Sequence, residues 1–110
     1  MWVFDLNMLE SFQTLWTGMS AEVEEDSVYV ARFSFEPSTW TGCAALTMFR
    51  RLAHWERSDT MVLERCYSAE EVRAALEAAG FLSIERHEAR ALGMHGDIAL
   101  GRVFFSASKP

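Results

Sequence analysis

Ser68-Ala69-Glu70-Glu71-Val72, running on through Leu76 to Ala79-Gly80-Phe81, spells out a helix with its own start and stop. The Ser68 hydroxyl can accept from the Glu71 amide while the Glu71 carboxylate accepts from the Ser68 amide, which is a capping box. Val72, Ala75, Leu76 and Ala79 form one apolar stripe at helical spacing, so the spacing predicts a helix over Ala69–Ala79. Gly80 can take the left-handed stop conformation without a side-chain clash, with Phe81 packing back on Leu76. Phe81 to His87 then reads as a strand, with Phe81, Ser83, Glu85 and His87 alternating against Leu82, Ile84 and Arg86.

Upstream of the helix lie three extended runs. Val28 to Phe35 is rich in β-branched and aromatic residues, Glu36 to Gly42 is turn chemistry, and Cys43 to Leu52 is a second strand. His54 to Tyr67 is a third, with Trp55, Arg57, Asp59, Met61, Leu63, Arg65 and Tyr67 on one face. Short turns between the runs predict a three-stranded antiparallel meander. The acidic run Glu22, Glu24, Glu25 and Asp26 reads as a solvated loop or strand start. Before it, Met1 to Asn7 is a short strand apolar on both faces, which expects cover on both sides. Met8 to Trp16 carries apolar residues at helical spacing, with Asn7 as a cap and Gly18 as a stop.

Downstream, Ala89 to Gly101 holds three glycines and reads as a loop with short ordered pieces; Arg102 to Ser108 is the last strand. The chain has 110 residues, half of them hydrophobic, so one domain with a substantial core is expected. No apolar run approaches the roughly 20 residues of a membrane span. The first 20 residues carry Asp5 and Glu10 and no Lys or Arg, unlike a secretory signal. A net charge of −6 argues against nucleic acid or an anionic membrane as the main partner. Two cysteines make no disulfide scaffold, which with the acidic balance agrees with a cytoplasmic location.

Three of these stretches resemble the C-terminal half of class I S-adenosylmethionine-dependent methyltransferases of the small-molecule type. Phe4-Asp5-Leu6-Asn7 looks like the end of the family's fifth sheet strand. Arg65 to Val72, with Leu76 and Ala79-Gly80-Phe81, looks like its last large helix and sixth strand. Gly101-Arg102-Val103-Phe104-Phe105, followed by Lys109-Pro110, looks like its seventh strand and C-terminus. The meander looks like the antiparallel insertion that some members carry after strand five. The resemblance implies an α+β fold with a mixed, largely antiparallel sheet, a three-stranded meander and one main helix, resembling the C-terminal part of a Rossmann-like methyltransferase fold. It implies a single domain over 1–110 with the meander inserted at about 27–67. Strands five, seven and six would lie side by side, the seventh antiparallel.

No G-x-G turn precedes any helix, so the sequence offers neither the close backbone approach nor the helix N-terminus that holds such a cofactor. The expectation is a methyltransferase-derived binding or interaction module that binds no cofactor by itself and has no catalytic residues. One alternative is the substrate-side half of an enzyme that works, with S-adenosylmethionine, only when the cofactor-binding half completes it. Another is an unrelated α+β domain that binds a small ligand. With strand four absent, the Trp2–Leu6 strand becomes an edge free of Lys and Pro, which invites a homodimer or a complementing chain.

Several side chains have both a structural and a functional reading. Asp5 and Asn7 are a turn and cap, or they reach the cleft where the resemblance puts substrate. Trp16, Tyr29, Trp40 and Trp55 are core and lid packing, or an aromatic wall for a sulfonium or amine. Trp40, in a turn, is expected to be the most exposed of these four and the preferred contact. Arg57 and Arg65, with Asp59 and Tyr67 on the same face, are cross-strand pairs or an anion clamp. His95 with Asp97 is a solvated loop or an oriented base. The spacing of Cys43, Cys66, His54, His87 and His95 fits no metal site, and the cysteines read as buried small apolar groups.

Overall fold

The computed structural model describes residues 1–110. Its elements are β1 (Trp2–Asn7), α1 (Leu9–Leu15), β2 (Gly18–Val23), β3 (Ser27–Glu36), β4 (Thr41–Arg51), β5 (Trp55–Arg65), α2 (Ala69–Ala78), β6 (Leu82–Glu88), and β7 (Arg102–Ser108), with 3₁₀ turns at Ala89–Leu92 and Asp97–Ala99 before β7. They form two compact units, one of residues 1–15 with 66–110 and one of residues 16–65. No helix is long and apolar enough to cross a membrane.

The first unit is a three-stranded sheet in the order β1-β7-β6. β7 runs antiparallel to both neighbours, the arrangement implied for these three segments by the resemblance. Its alternation is strict: Val103, Phe105 and Ala107 are buried, and they pack with Val72 and Leu76 of α2. Trp2, Phe4 and Leu6 lie opposite Ala107, Phe105 and Val103, so they share that face. Val3, Asp5 and Asn7 point to the other.

α2 begins and ends as its sequence dictates. The Glu71 amide donates to Ser68 Oγ at 3.0 Å, and the Ser68 amide donates to Glu71 Oε1 at 3.3 Å. Gly80 has φ +87°, and the Phe81 amide donates to the Leu76 carbonyl at 3.0 Å. Ser68→Ala is expected to lower stability by about 1 kcal/mol, while Ser68→Asp holds it near wild type. Urea midpoints of the three proteins check this.

The second unit is a four-stranded antiparallel meander, β2-β3-β4-β5. β3, β4 and β5 fall on the three expected runs. The fourth strand, β2, was not expected: Gly18 to Val23 read as a helix stop and an acidic run. Gly18, at φ +74°, instead turns the chain from α1 into β2, which pairs with β3 from Gly18↔Phe33 to Val23↔Val28. Asp26 sits in the β2–β3 turn and holds Arg51 at 2.7 Å.

Three further expectations are corrected. The strands form two antiparallel sheets rather than one mixed sheet. The alternation of β6 is broken by an irregularity between Leu82 and Glu85, where Ser83 takes φ +53°. Asn7 is the last residue of β1, opposite Arg102, and it is the Met8 carbonyl that accepts from the Ser11 and Phe12 amides at the start of α1.

Candidate functional site

A broad concavity of the first unit runs between α2 and β1. It is an open groove of about 810 Å³, with Trp2 and Phe4 on the strand side, Val72, Ala75 and Leu76 on the helix side, and Tyr67 and Phe81 among the residues around them. Its aromatic wall is continuous. Trp2 lies 4.6 Å from Phe4 and 5.4 Å from Phe81, centroid to centroid, and Phe4 stacks on Phe105 at 5.5 Å. Lys109 Nζ sits 5.1 Å from the Phe81 ring centroid. Glu71 is the one carboxylate in the lining, and it serves the helix cap. Such a lining can bury apolar or aromatic surface, but it brings few polar groups to do chemistry.

Of the side chains weighed for a site from sequence, Tyr67 alone lines this groove. Asp5 and Asn7 lie on the opposite face of the sheet, by the alternation of β1. There Asp5 pairs with Arg102, whose Nε donates to the Ile98 carbonyl at 2.8 Å. The groove's other aromatics were missed. Their signal was Trp2 and Phe4 two apart on one strand, with Phe81 just past the helix stop.

The remaining candidates belong to the meander unit and are not gathered in one place. Trp16 meets Phe33 edge-on at 5.6 Å. Tyr29 is opposite Met48, which is in turn opposite Ser58, on the face away from Arg57 and Arg65. Trp40 ends the β3–β4 turn at φ +52°. It is half-buried, and Trp55, at 47% exposure, is the most open of the four aromatics, which corrects the expectation.

Arg57 hydrogen-bonds within its own strand and stacks across it. Its Nε donates to Asp59 Oδ2 at 2.9 Å and its Nη2 to Asp59 Oδ1 at 3.2 Å, and the guanidinium lies over Phe49. Thr47 Oγ1 donates to Asp59 Oδ1 at 2.7 Å. The Arg57 hydrogen bonds, then that of Thr47, hold the Asp59 carboxyl below its usual range, and Arg57 is in turn held more firmly charged. A carboxylate with a depressed folded pKa contributes stability above its unfolded pKa, and the contribution is lost as pH falls through the folded value. The urea midpoint gap between wild type and Asp59→Asn is therefore expected to be constant above about pH 5 and to close in acid below about pH 4. A midpoint series across pH checks it.

Cys66 is fully buried, and burial, with the nearby Glu71 charge second, pushes its thiol up. It is a packed thiol rather than a nucleophile. His95 and Asp97 lie in the loop before β7. No three His, Cys, Asp or Glu side chains converge as metal ligands.

No family model matches the chain, and no curated protein matches it in sequence. Solved structures match it in fold. An S-adenosylmethionine-dependent methyltransferase from Clostridium acetobutylicum superposes with a TM-score of 0.73 over 97% of this chain, at 15% identity. The CcbJ methyltransferase from Streptomyces caelestis superposes with a TM-score of 0.61 over 96% of it, at 18% identity. The chain spans 43% and 45% of the length of those two proteins. Its fold is similar to part of the fold of these two methyltransferases.

Proposed function

We propose that this chain is the C-terminal, substrate-side part of a methyltransferase fold, acting as a binding module that docks onto a complementing cofactor-binding half. The observation that carries the reading is one continuous apolar surface. The outer edge of β1 has no strand beside it, and the groove next to it has no helix in it. Trp2 and Val3 stand about half exposed at that edge. In the matched methyltransferases more than half of the polypeptide lies outside the superposed region, which supplies ample chain to cover such a surface. The order β1-β7-β6 supports the assignment to the C-terminal half.

On this reading the module does not hold S-adenosylmethionine by itself, because no glycine-rich turn leads into either helix. The cofactor serves the completed enzyme alone. The occupant of the β1 edge is a strand that extends the sheet, and the occupant of the groove is an apolar helix face laid against Val72, Ala75 and Leu76.

Calorimetric titration with S-adenosylmethionine tests the first half of the reading. No saturable heat is expected, and a stoichiometric site would overturn it. A fluorescent apolar dye tests the second. The isolated chain is expected to light the dye, and Ala75→Glu, which puts a charge in the groove, is expected to quench most of that signal. A dye response unchanged by the substitution would mean that the groove is not the open apolar surface.

A further inference from the structure

A second long edge lies in the meander unit. β5 is the outermost strand of its sheet, and all eleven of its residues are exposed. Met61, Val62 and Leu63 stand together at its middle, at 66%, 37% and 65% exposure. Natural edges are usually short, twisted or charged at the centre, because a flat apolar edge recruits another strand. β5 instead keeps its charges at the flanks: Glu56, Arg57 and Asp59 before the apolar centre, Glu64 and Arg65 after it.

That order is self-complementary. Two copies of β5 pairing antiparallel about a two-fold axis normal to the sheet keep each face on its own side, so each residue meets one of equal parity. Centring the axis on Thr60 sets Glu56 against Glu64, and centring it on Met61 sets Arg57 against Arg65. Both oppose like charges. Centring it on Val62 sets Asp59 against Arg65 twice, Met61 against Leu63 twice, and Val62 against itself. Asp59 is the carboxylate already held ionised by Arg57 and Thr47.

We propose that β5 is the homodimer interface of this chain. Two copies join through Asp59 to Arg65 in the Val62-centred register, making one eight-stranded sheet. The surface is distinct from the β1 edge and leaves that edge for the complementing half.

Sedimentation equilibrium across a dilution series tests this, alongside oxidative cross-linking. The wild type is expected to dimerise, more weakly as salt rises. Arg65→Glu, which opposes like charges at both ends, is expected to weaken the dimer about tenfold. Met61→Lys, at an exposed position that the monomer fold does not pack, is expected to abolish it while melting like the wild type at dilutions where both are monomeric. Val62→Cys is expected to cross-link chains that Thr60→Cys and Glu64→Cys do not, relative to the wild-type cysteine background. A chain that stays monomeric at millimolar concentration overturns the proposal. So does a dimer that survives Met61→Lys and Arg65→Glu but is lost on Val3→Lys, which would place the interface at β1.

Discussion

Gly101→Ala should unfold much of the first unit's margin of stability, with a loss of about 3–5 kcal/mol. Gly101 has φ +69°, where an L side chain is strained by about 1–2 kcal/mol. A Cβ there would also collide with the Ser11 amide nitrogen and stand 2.8 Å from its Cα. Those are backbone atoms at the first turn of α1, and Ser11 is itself buried, so no rotamer change relieves the contact. The Gly101 carbonyl also accepts from the Met8 amide at 2.8 Å, which ties the end of β1 to the start of β7. Relief of the clash would pull on that bond. Gly93→Ala is the matched control. Its φ of +95° carries conformational strain, but a Cβ there meets nothing within 4 Å. It is expected to lose only about 1 kcal/mol. Thermal and urea melts of both variants check the contrast; equal losses would mean that backbone strain alone matters at Gly101.

Gly101 also shows where sequence reading stops. The glycine itself marks a loop, but its neighbour, Ser11, is ninety residues away and no local signal names it. What was legible had local causes. The capping box and Gly80 fix α2 at both ends, and the β-branched and aromatic runs fix β3 and β7. β2 was illegible because its extended form is imposed by its partner. Gly18 to Val23 contains a single β-branched residue, and the backbone finds its hydrogen bonds only on β3. The bulge at Ser83 was illegible for the same kind of reason. The alternation of Phe81 to His87 reads cleanly in sequence, whereas the ladder to β7 skips between Leu82 and Glu85.

The candidate site followed the same rule. Asp5 and Asn7 were placed at a cleft by resemblance to a strand end, yet alternation along β1 gives that end two faces. Register against β7 sends Trp2, Phe4 and Leu6 toward α2 and the two polar residues away from it. Arg57 was rightly grouped with Asp59 on one face of its strand. Within the chain, Asp59 accepts from its Nε and Nη2.

Phe105→Ala should cost about 3–5 kcal/mol, the usual loss for a fully buried phenylalanine, and should alter the groove as well as the core. Phe105 is 2% exposed on the central strand of its sheet, so neither neighbour can collapse inward without breaking a ladder. It packs with Val72 and Leu76 of α2, and its ring stacks on Phe4. Phe4 in turn holds Trp2, and Trp2 holds Phe81, so the aromatic wall rests on Phe105 through direct ring contacts. Truncation leaves a cavity beneath that wall and frees Phe4 to drop into it. Phe105→Leu fills part of the volume and is expected to recover about half of the loss. The measurement pairs urea unfolding with the near-ultraviolet circular dichroism of the tryptophans. A stability loss with an unchanged aromatic spectrum would show that the groove wall stands independently of the core. A loss of both, partly restored by leucine, would mean that the same side chain that closes the core also sets the shape of the surface offered to a partner.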